Sequence, residues 1–256
     1  MIDRDADKVL IFIHIPKTAG STLQQVVYNN HSDCEICILG RPSADDIAQG
    51  RGFGEVHRNH LQFIKSGSLD QKSRLKVLFG HMEFGLHRYF PNGAQYATVL
   101  RHPVSRIVSH YNFVRRSPAH YLHDKVVGEG ISVADYIEGT RSKELNNGQV
   151  RILFGEEHKR IPFGECSSEH LDRAMENLEN HFVFVGIQEK FRQSTEALAR
   201  IMNWSVPEIK NRNVSDNSEK EPITRETSER FLLHNELDML LYRKVLSQLE
   251  KSLAAR

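Results

Sequence analysis

A short apolar run followed directly by a lysine-containing loop constrains the fold of this chain most strongly. Residues 9–15 read Val-Leu-Ile-Phe-Ile-His-Ile, and a continuous run of β-branched and aromatic residues is typical of a strand buried on both faces of a sheet. Pro16 ends the run, and a helical pattern follows over residues 21–28. The sequence therefore predicts a strand, a loop and a helix near the N-terminus, which is the opening unit of an α/β fold.

Short apolar runs alternate with helical patterns along the rest of the chain. We expect further strands over residues 34–39, 75–79, 96–100 and 182–185, and helices over 103–115, 133–138, 144–154, 167–180, 189–204 and 224–249. This alternation favours a parallel sheet flanked by helices, and the C-terminal half is helix-rich. The length of 256 residues fits one domain spanning residues 1–256.

The loop after the first strand has the composition of a phosphate-binding site. Its residues are Pro16, Lys17, Thr18, Ala19, Gly20, Ser21 and Thr22. Backbone N–H groups at a helix N-terminus point toward an anion, and the helix dipole favours negative charge there. Small residues let the backbone approach a phosphate, the hydroxyls add donors, and the lysine adds a point charge. The alternative interpretation is an ordinary strand–helix turn with a solvent-exposed lysine.

Two common nucleotide-binding signatures are absent from the sequence. No glycine is followed by lysine, which excludes the G-x-x-x-x-G-K-[ST] motif. The closely spaced Gly50, Gly52 and Gly54 do not form G-x-G-x-x-G, and no strand is predicted before them. In this chain the lysine precedes the glycine, so a phosphate would be held with a different geometry.

A second candidate anion site lies where the strand over residues 96–100 ends. Arg101 follows that strand, and Pro103, Arg106 and Ser109 complete the pattern R-x-P-x-x-R-x-x-S. Ligands of open parallel sheets bind outside the carboxyl ends of the strands, so Arg101 and Lys17 could meet over one ligand. A metal-dependent phosphotransferase usually has an acidic residue at this place. The arginine therefore favours a metal-free site for two phosphates, and structural ion pairing of the arginines is the alternative.

The segments 12–23 and 100–111 together resemble the two phosphate motifs of sulfotransferases that use 3′-phosphoadenosine 5′-phosphosulfate (PAPS). The resemblance is to the branch that contains the membrane-anchored carbohydrate sulfotransferases and their soluble bacterial relatives. Weaker similarities lie at residues 79–81, 146–149, 185–189 and 235–242. The resemblance thus extends over nearly the whole chain.

The resemblance implies a P-loop-like α/β fold and transfer of a sulfuryl group from PAPS to an acceptor hydroxyl, with a carbohydrate as the expected acceptor and no metal. By motif match, Lys17, Thr18, Ala19, Gly20, Ser21 and Thr22 bind the 5′-phosphosulfate. Arg101 and Ser109 bind the 3′-phosphate, and Arg106 is either structural or supports a residue that binds the nucleotide. Lys17 is also expected to stabilise the charge that develops on the leaving group.

A general base must accept the proton of the acceptor hydroxyl. His81 follows Gly80 at the end of the strand over residues 75–79, and it matches the histidine that serves as base in the carbohydrate branch. Histidine suits this role near neutral pH. Glu83 and Glu55 are alternative bases, which suit the role less unless burial raises their pKa. Another histidine is a further alternative, and a structural, hydrogen-bonded role is the rival interpretation of His81.

Several partner classes are disfavoured by the sequence. A formal net charge of +1 gives no global attraction to nucleic acid.

The polar start lacks the pattern of a signal peptide, and no apolar run reaches the roughly 18 residues of a membrane span. We therefore expect a cytoplasmic protein, with a lumenal location only if an anchor has been removed. The oligomeric state is not indicated.

Two other functions stay open at this point: an atypical P-loop nucleotide-dependent kinase, and a nucleotide-binding module without catalysis.

The acceptor is not identified, because acceptor pockets are built from variable loops. Candidate loops are residues 41–60, 83–92 and 118–130, and basic side chains such as Arg116 and His120 would suit either an acidic sugar or solvent. The polar segment 210–215, which includes Arg212, is expected near the nucleotide.

Overall fold

The computed structural model describes residues 2–205 and 223–254 and shows a parallel sheet flanked by helices. The strands within these residues are β1 (Val9–Ile13), β2 (Ile36–Ile38), β3 (Val77–Gly80), β4 (Ala94–Leu100) and β5 (Phe182–Ile187). Their order in the sheet is β2-β3-β1-β4-β5, and every neighbouring pair is parallel. The predicted fold class, a parallel sheet flanked by helices, is confirmed.

Helices connect the strands and dominate the C-terminal half, as predicted. They are α1 (Gly20–Tyr28), α2 (Ala44–Ala48), α3 (Phe53–Ser66), α4 (Leu69–Lys72), α5 (Pro103–Arg115), α6 (His123–Gly128), α7 (Tyr136–Thr140), α8 (Gly148–Phe154), α9 (Ser168–His181), α10 (Phe191–Met202), α11 (Arg225–Leu233) and α12 (Glu236–Ala254). None of the helices in the described ranges combines the length and the apolarity that crossing a bilayer requires.

The sheet is covered on both faces. Side chains of a strand alternate between the faces, so Leu10 and Phe12 pack against α1 and α10, whereas Ile11 and Ile13 pack against α3, α8, α9 and α12. A third apolar cluster joins α5, α6, α7 and α11 around the buried Tyr136. The apolar run near the N-terminus therefore forms the central strand of a two-sided core.

The C-terminal helix differs from the prediction. The single helix expected over residues 224–249 is broken into α11 and α12. Asn235, at the break, donates from Nδ2 to the carbonyls of Phe231 (3.0 Å) and Leu145 (2.8 Å). Its Oδ1 accepts the N–H of Asn147 at 2.9 Å. A side chain that bonds backbone groups in this way ends the helix locally.

The helix predicted over residues 144–154 begins only at Gly148, after a 3₁₀ turn over Lys143–Leu145. Asn147 adopts a left-handed conformation (φ 52°), and its Oδ1 accepts the N–H groups of Leu237 (3.0 Å) and Asp238 (3.1 Å). The starts of α8 and α12 therefore cap each other, and this contact between distant residues sets both helix boundaries.

Helix α3 was not predicted, because the turn-rich segment before it gave no assignment and its apolar pattern is sparse. Only Val56 and Ile64 are buried among its 14 residues. A helix that buries so few positions shows a weak apolar period in its sequence.

Candidate active site

The carboxyl ends of β3, β1 and β4 lie side by side, because these strands are consecutive neighbours in the parallel sheet. Each strand delivers one predicted site segment at this edge: His81 after β3, Lys17 after β1 and Arg101 after β4. Arg101 Nη1 donates to the carbonyl of Lys17 at 2.9 Å, and His81 Nδ1 donates to the carbonyl of His14 at 2.8 Å. The structure therefore brings together the predicted segments from three strands.

The loop between β1 and α1 has an unusual backbone. Lys17 (φ 72°) and Ala19 (φ 63°) both adopt the left-handed region, which costs a residue with a Cβ about 1–3 kcal/mol. Thr18 between them is buried, and its hydroxyl donates to the carbonyl of Ile15 at 2.8 Å. Tight turns of this kind direct successive backbone N–H groups toward one anion-binding concavity. The Thr18 hydroxyl thus shapes the loop and is not available as a donor to a ligand.

Gly20, the first residue of α1, is required by its packing. A Cβ at this position would lie 2.0 Å from ring atoms of His14. The His14 ring is stacked on the His81 ring (centroids 4.5 Å apart) and tilted against Phe79 (5.6 Å). Burial, with the neighbouring charges of His81 and Lys17, lowers the pKa of His14 to about 3. His14 is therefore a neutral ring that fills the space beneath the loop.

Replacing Gly20 with alanine is expected to move the His14 ring and the loop above it. Overpacking of this kind costs about 1–3 kcal/mol, so we expect a lower melting temperature and weaker binding of 3′-phosphoadenosine 5′-phosphate in calorimetry. Gly52→Ala is the matched control, because its added Cβ would meet no atom within 4 Å. Normal nucleotide affinity in Gly20→Ala would contradict this account of the loop.

Lys17 is a half-buried cation that lies close to other positively charged side chains. Its Nζ lies 4.2 Å from the centroid of the Phe113 ring on α5. Burial, followed by the charges of Arg101 and Arg116, lowers the pKa of Lys17 to about 8. A bound anion would favour the protonated ammonium and raise that pKa. The loop is thus poised to gain electrostatic stabilisation when an anion binds.

Two side chains from distant elements hold the backbone that carries Arg101. Gln149 Oε1 accepts the N–H of Arg101 at 3.0 Å, and Gln149 Nε2 donates to the carbonyl of Arg101 at 2.9 Å. Glu189 accepts the N–H of His102 at 3.1 Å. Both residues lie in segments that only weakly resemble known motifs, and the sequence alone gave them no role. They position the end of β4.

Arg106 and Ser109 both lie on α5 but in different surroundings. The Arg106 guanidinium is buried, donates to the carbonyl of Glu144 at 2.6 Å and lies 3.8 Å from the Asp238 carboxylate. These contacts join α5 to the 3₁₀ turn that contains Glu144 and to α12. Ser109 is half-buried, two turns beyond the strand end; its contact with a 3′-phosphate stays a prediction.

The hydrogen bonds of His81 determine which of its ring nitrogens could accept a proton. A carbonyl oxygen only accepts hydrogen bonds, so the bond to His14 places the proton of the neutral His81 ring on Nδ1 and leaves the lone pair on Nε2. His57 Nε2 donates to the His81 carbonyl at 2.7 Å and fixes its backbone. Desolvation of the ring by its neighbours outweighs the hydrogen bond to His14 and lowers the pKa of His81 below its ordinary value. The exposed imidazole is therefore neutral at pH 7.

The two alternative bases fit less well. Glu83 pairs with Lys159 (3.0 Å) and His158 (3.4 Å), and although burial opposes it, this pairing lowers the pKa of Glu83 to about 2. A carboxylate with so low a pKa accepts protons poorly. Glu55 is an exposed residue in the first turn of α3.

One group of potential metal ligands occurs in the described part of the chain. The donor atoms of His110, His120 and Glu144 lie within 4.8 Å of one another. His110 Nε2 and Glu144 Oε2 already share a hydrogen bond of 3.0 Å. The sequence gave no sign of this cluster, because no short motif links its members.

The predicted nucleotide contact over residues 210–215, with Arg212, lies outside the described residues.

The family model described as galactose-3-O-sulfotransferase matches residues 3–256 of the chain. Two curated relatives are similar over most of the chain. A heparin sulfate O-sulfotransferase of Drosophila melanogaster is 24% identical over 216 residues, which cover 81% of this chain and 58% of the relative. Galactose-3-O-sulfotransferase 2 of Homo sapiens is 21% identical over 261 residues, which cover 96% and 62%. The chain thus spans about three-fifths of the length of these relatives.

Two solved structures show a distant similarity of fold. A sulfotransferase from Alicyclobacillus acidocaldarius gives a TM-score of 0.47 at 14% identity and covers 95% of this chain and 97% of its own. Mouse sulfotransferase SULT7A1 complexed with PAP gives a TM-score of 0.41 at 12% identity and covers 80% and 62%.

Proposed function

Because the chain belongs to the galactose-3-O-sulfotransferase family, we propose that it transfers a sulfuryl group from PAPS to a hydroxyl of a carbohydrate. The observation that carries this proposal is the meeting of three groups at one edge of the sheet. A cationic loop, an arginine and an exposed neutral histidine follow β1, β4 and β3. These are the parts that a nucleotide donor with two separate anionic groups and a hydroxyl acceptor require.

The donor would bind across the ends of β1 and β4. The backbone N–H groups of the loop and of the first turn of α1 hold the 5′-phosphosulfate, together with the Lys17 ammonium. Arg101 and Ser109 hold the 3′-phosphate. The hydrogen bond from Arg101 to the Lys17 carbonyl (2.9 Å) ties the two phosphate sites together.

The transfer step uses His81 and Lys17. His81 Nε2 accepts the proton of the acceptor hydroxyl, whose oxygen forms a bond to sulfur while the bond from sulfur to the bridging phosphate oxygen breaks. The products are a sulfate ester, 3′-phosphoadenosine 5′-phosphate and a protonated His81. Negative charge grows on the bridging oxygen, and the fixed Lys17 ammonium stabilises it more in the transition state than in the ground state.

This scheme predicts a bell-shaped dependence of kcat/KM on pH. On the acid side, activity falls as His81 becomes protonated. This limb lies below pH 6.5, the ordinary pKa of histidine, because the pKa of His81 is lowered. Activity falls on the alkaline side as the free enzyme loses the Lys17 charge, near pH 8. Initial rates over a pH series test this, and Lys17→Arg should remove the alkaline limb. An alkaline limb that Lys17→Arg leaves unchanged would contradict the assignment.

Calorimetry separates this function from that of a nucleotide-dependent kinase. We expect 3′-phosphoadenosine 5′-phosphate to bind in metal-free buffer and Mg-ATP to bind much more weakly. Arg101→Ala should weaken binding of the bisphosphate, because a charge-assisted contact to the 3′-phosphate is lost. Tight binding of Mg-ATP with no binding of the bisphosphate would rule out the sulfotransferase function.

A further inference from the structure

The backbone of His14 is tied on both sides to the segment that carries the proposed base. Its N–H donates to the carbonyl of Gly80 at 2.8 Å, and its carbonyl accepts a hydrogen bond from Nδ1 of His81 at 2.8 Å. These bonds continue the parallel pairing of β1 with β3 by one residue beyond the pair of Ile13 and Gly80. Neither bond involves the His14 side chain, so a substitution at this position leaves both in place.

The ring of His14 touches both halves of the proposed site. On one side it stacks on the ring of His81, with centroids 4.5 Å apart and planes 25° from parallel. On another side it lies against Gly20, where an added Cβ would come within 2.0 Å of its Cε1 and Nε2 atoms. Gly20 is the first residue of α1, whose N-terminal N–H groups face the proposed phosphosulfate site. A single ring therefore separates the loop that would hold the donor from the group that would accept the proton.

Two contacts are needed to aim the free nitrogen of His81. The hydrogen bond from Nδ1 fixes one atom of the ring, but the ring is still free to tip about that bond. Stacking against a flat neighbour fixes the ring plane, and the two contacts together set the direction of Nε2. A base must lie within hydrogen-bond reach of the proton that it takes, and a misplacement of about 1 Å costs about 10²-fold in rate. The orientation of the His81 ring is therefore worth a large factor in kcat.

The half-buried His14 ring stays neutral beside the base. Desolvation by its neighbours, followed by the charges of His81 and Lys17, lowers the pKa of His14 to about 3. A group with so low a pKa takes no proton from an acceptor near neutral pH, so His14 does not compete with His81 as base. A neutral aromatic face also lies favourably against the imidazolium that His81 becomes during transfer. The ring therefore supports both protonation states of His81.

We propose that His14 is a positioning residue for sulfuryl transfer: its ring, wedged between Gly20 and His81, holds the base in register with the loop that binds the donor. The property that matters is a flat side chain of limited length, because the ring must stack on His81 without entering the space at Gly20. Titration of His14 plays no part. This inference rests on the proposed function and adds the residue that relates the proton acceptor to the donor.

The test compares two substitutions that differ in shape. Leucine is close to histidine in volume but is not flat, whereas asparagine is flat, shorter than the ring and unable to act as a base. Phenylalanine is unsuited, since its longer ring would enter the space at Gly20. His14→Leu should lower the single-turnover rate of transfer by about 10–100-fold, and His14→Asn should lower it less. Affinity for 3′-phosphoadenosine 5′-phosphate, measured by calorimetry, should be unchanged in both variants.

A double-mutant cycle tests the contact between the ring and the loop. Asparagine lacks the two ring atoms nearest Gly20, so the added Cβ of Gly20→Ala has room in that background. Gly20→Ala should therefore lower the melting temperature and the transfer rate less in His14→Asn than in the wild type. Independent sites do not show such coupling.

The pH dependence separates positioning from proton transfer. In His14→Leu the acid limb of the rate should persist, since His81 is still the base. Loss of the acid limb in this variant would show that His14 itself takes the proton, which contradicts the inference.

His181→Leu is the matched control. His181 is also a half-buried ring stacked on a histidine, His87, with centroids 4.7 Å apart. It directly precedes β5 and therefore lies at the opposite edge of the sheet from the proposed site. This substitution should leave the transfer rate unchanged.

The remaining outcomes separate the inference from the function on which it rests. A normal transfer rate in His14→Leu, or additive effects of the His14 and Gly20 substitutions, would overturn the inference while transfer by the wild type stands. A rate that more donor restores in His14→Leu would show that the ring supports donor binding alone, which also contradicts the inference. Failure of the wild type to transfer sulfuryl to any hydroxyl would reject the proposed function itself.

Discussion

Replacing His81 with alanine is expected to lower kcat for sulfuryl transfer by about 10²–10⁴-fold, the usual contribution of a positioned base. The Nδ1 bond to the His14 carbonyl leaves Nε2 as the acceptor, and the nearby Glu83 is a poor substitute because its pKa is about 2. Binding of 3′-phosphoadenosine 5′-phosphate should be retained. Single-turnover rates and calorimetry on one preparation measure both effects.

His81→Gln is the matched variant for this experiment. The glutamine amide is able to donate to the His14 carbonyl but is not a base. The kcat of His81→Gln should therefore fall as far as that of His81→Ala. Added imidazole should partly restore His81→Ala and leave His81→Gln inactive. Full activity in His81→Ala would show that another group accepts the proton. Loss of nucleotide binding in both variants would indicate a binding role instead.

The second large effect is expected at Lys17. Lys17→Ala should lower kcat by about 10²–10³-fold, as loss of one fixed donor to a developing charge does, and it should also weaken donor binding. The folded protein should not lose stability. Because the Lys17 pKa is lowered to about 8 in the folded state, the charged lysine opposes folding at pH 7, and its removal relieves that cost.

Lys8→Ala is the control for Lys17. Lys8 precedes β1 and pairs with Asp5 at 3.4 Å, so it lies at the opposite end of the same strand and should not affect transfer. Lys17→Arg should recover donor binding more than kcat, since a planar guanidinium does not replace a compact ammonium at a single oxygen. Normal kcat in Lys17→Ala would show that the lysine is only an anchor.

The sequence predicted the parts of this site that depend on local patterns. The buried run of β1, the small-residue loop and Pro103 at the start of α5 each carry their signal within a few residues. Parallel strands end at one edge of the sheet, so the sequence alone was enough to expect His81, Lys17 and Arg101 near one another.

Other features depend on contacts between distant residues and could not be predicted. Position 20 requires glycine because a Cβ there would collide with the His14 ring. The left-handed conformation of Lys17 is not indicated by its residue type, since lysine has no preference for that region. Glu144 meets His110 across 34 positions of the chain. The break between α11 and α12 likewise depends on Asn235, which forms hydrogen bonds with the backbone of Leu145 and Asn147.

The most direct test of the central claim is transfer of radiolabelled sulfuryl from PAPS to a panel of carbohydrate, lipid and small-molecule hydroxyls. The wild-type protein should form a labelled sulfate ester on a carbohydrate together with an equal amount of 3′-phosphoadenosine 5′-phosphate, and His81→Ala should form neither. No labelled ester with any acceptor class, from protein that is folded and saturated with donor, would contradict the assignment of this site to sulfuryl transfer.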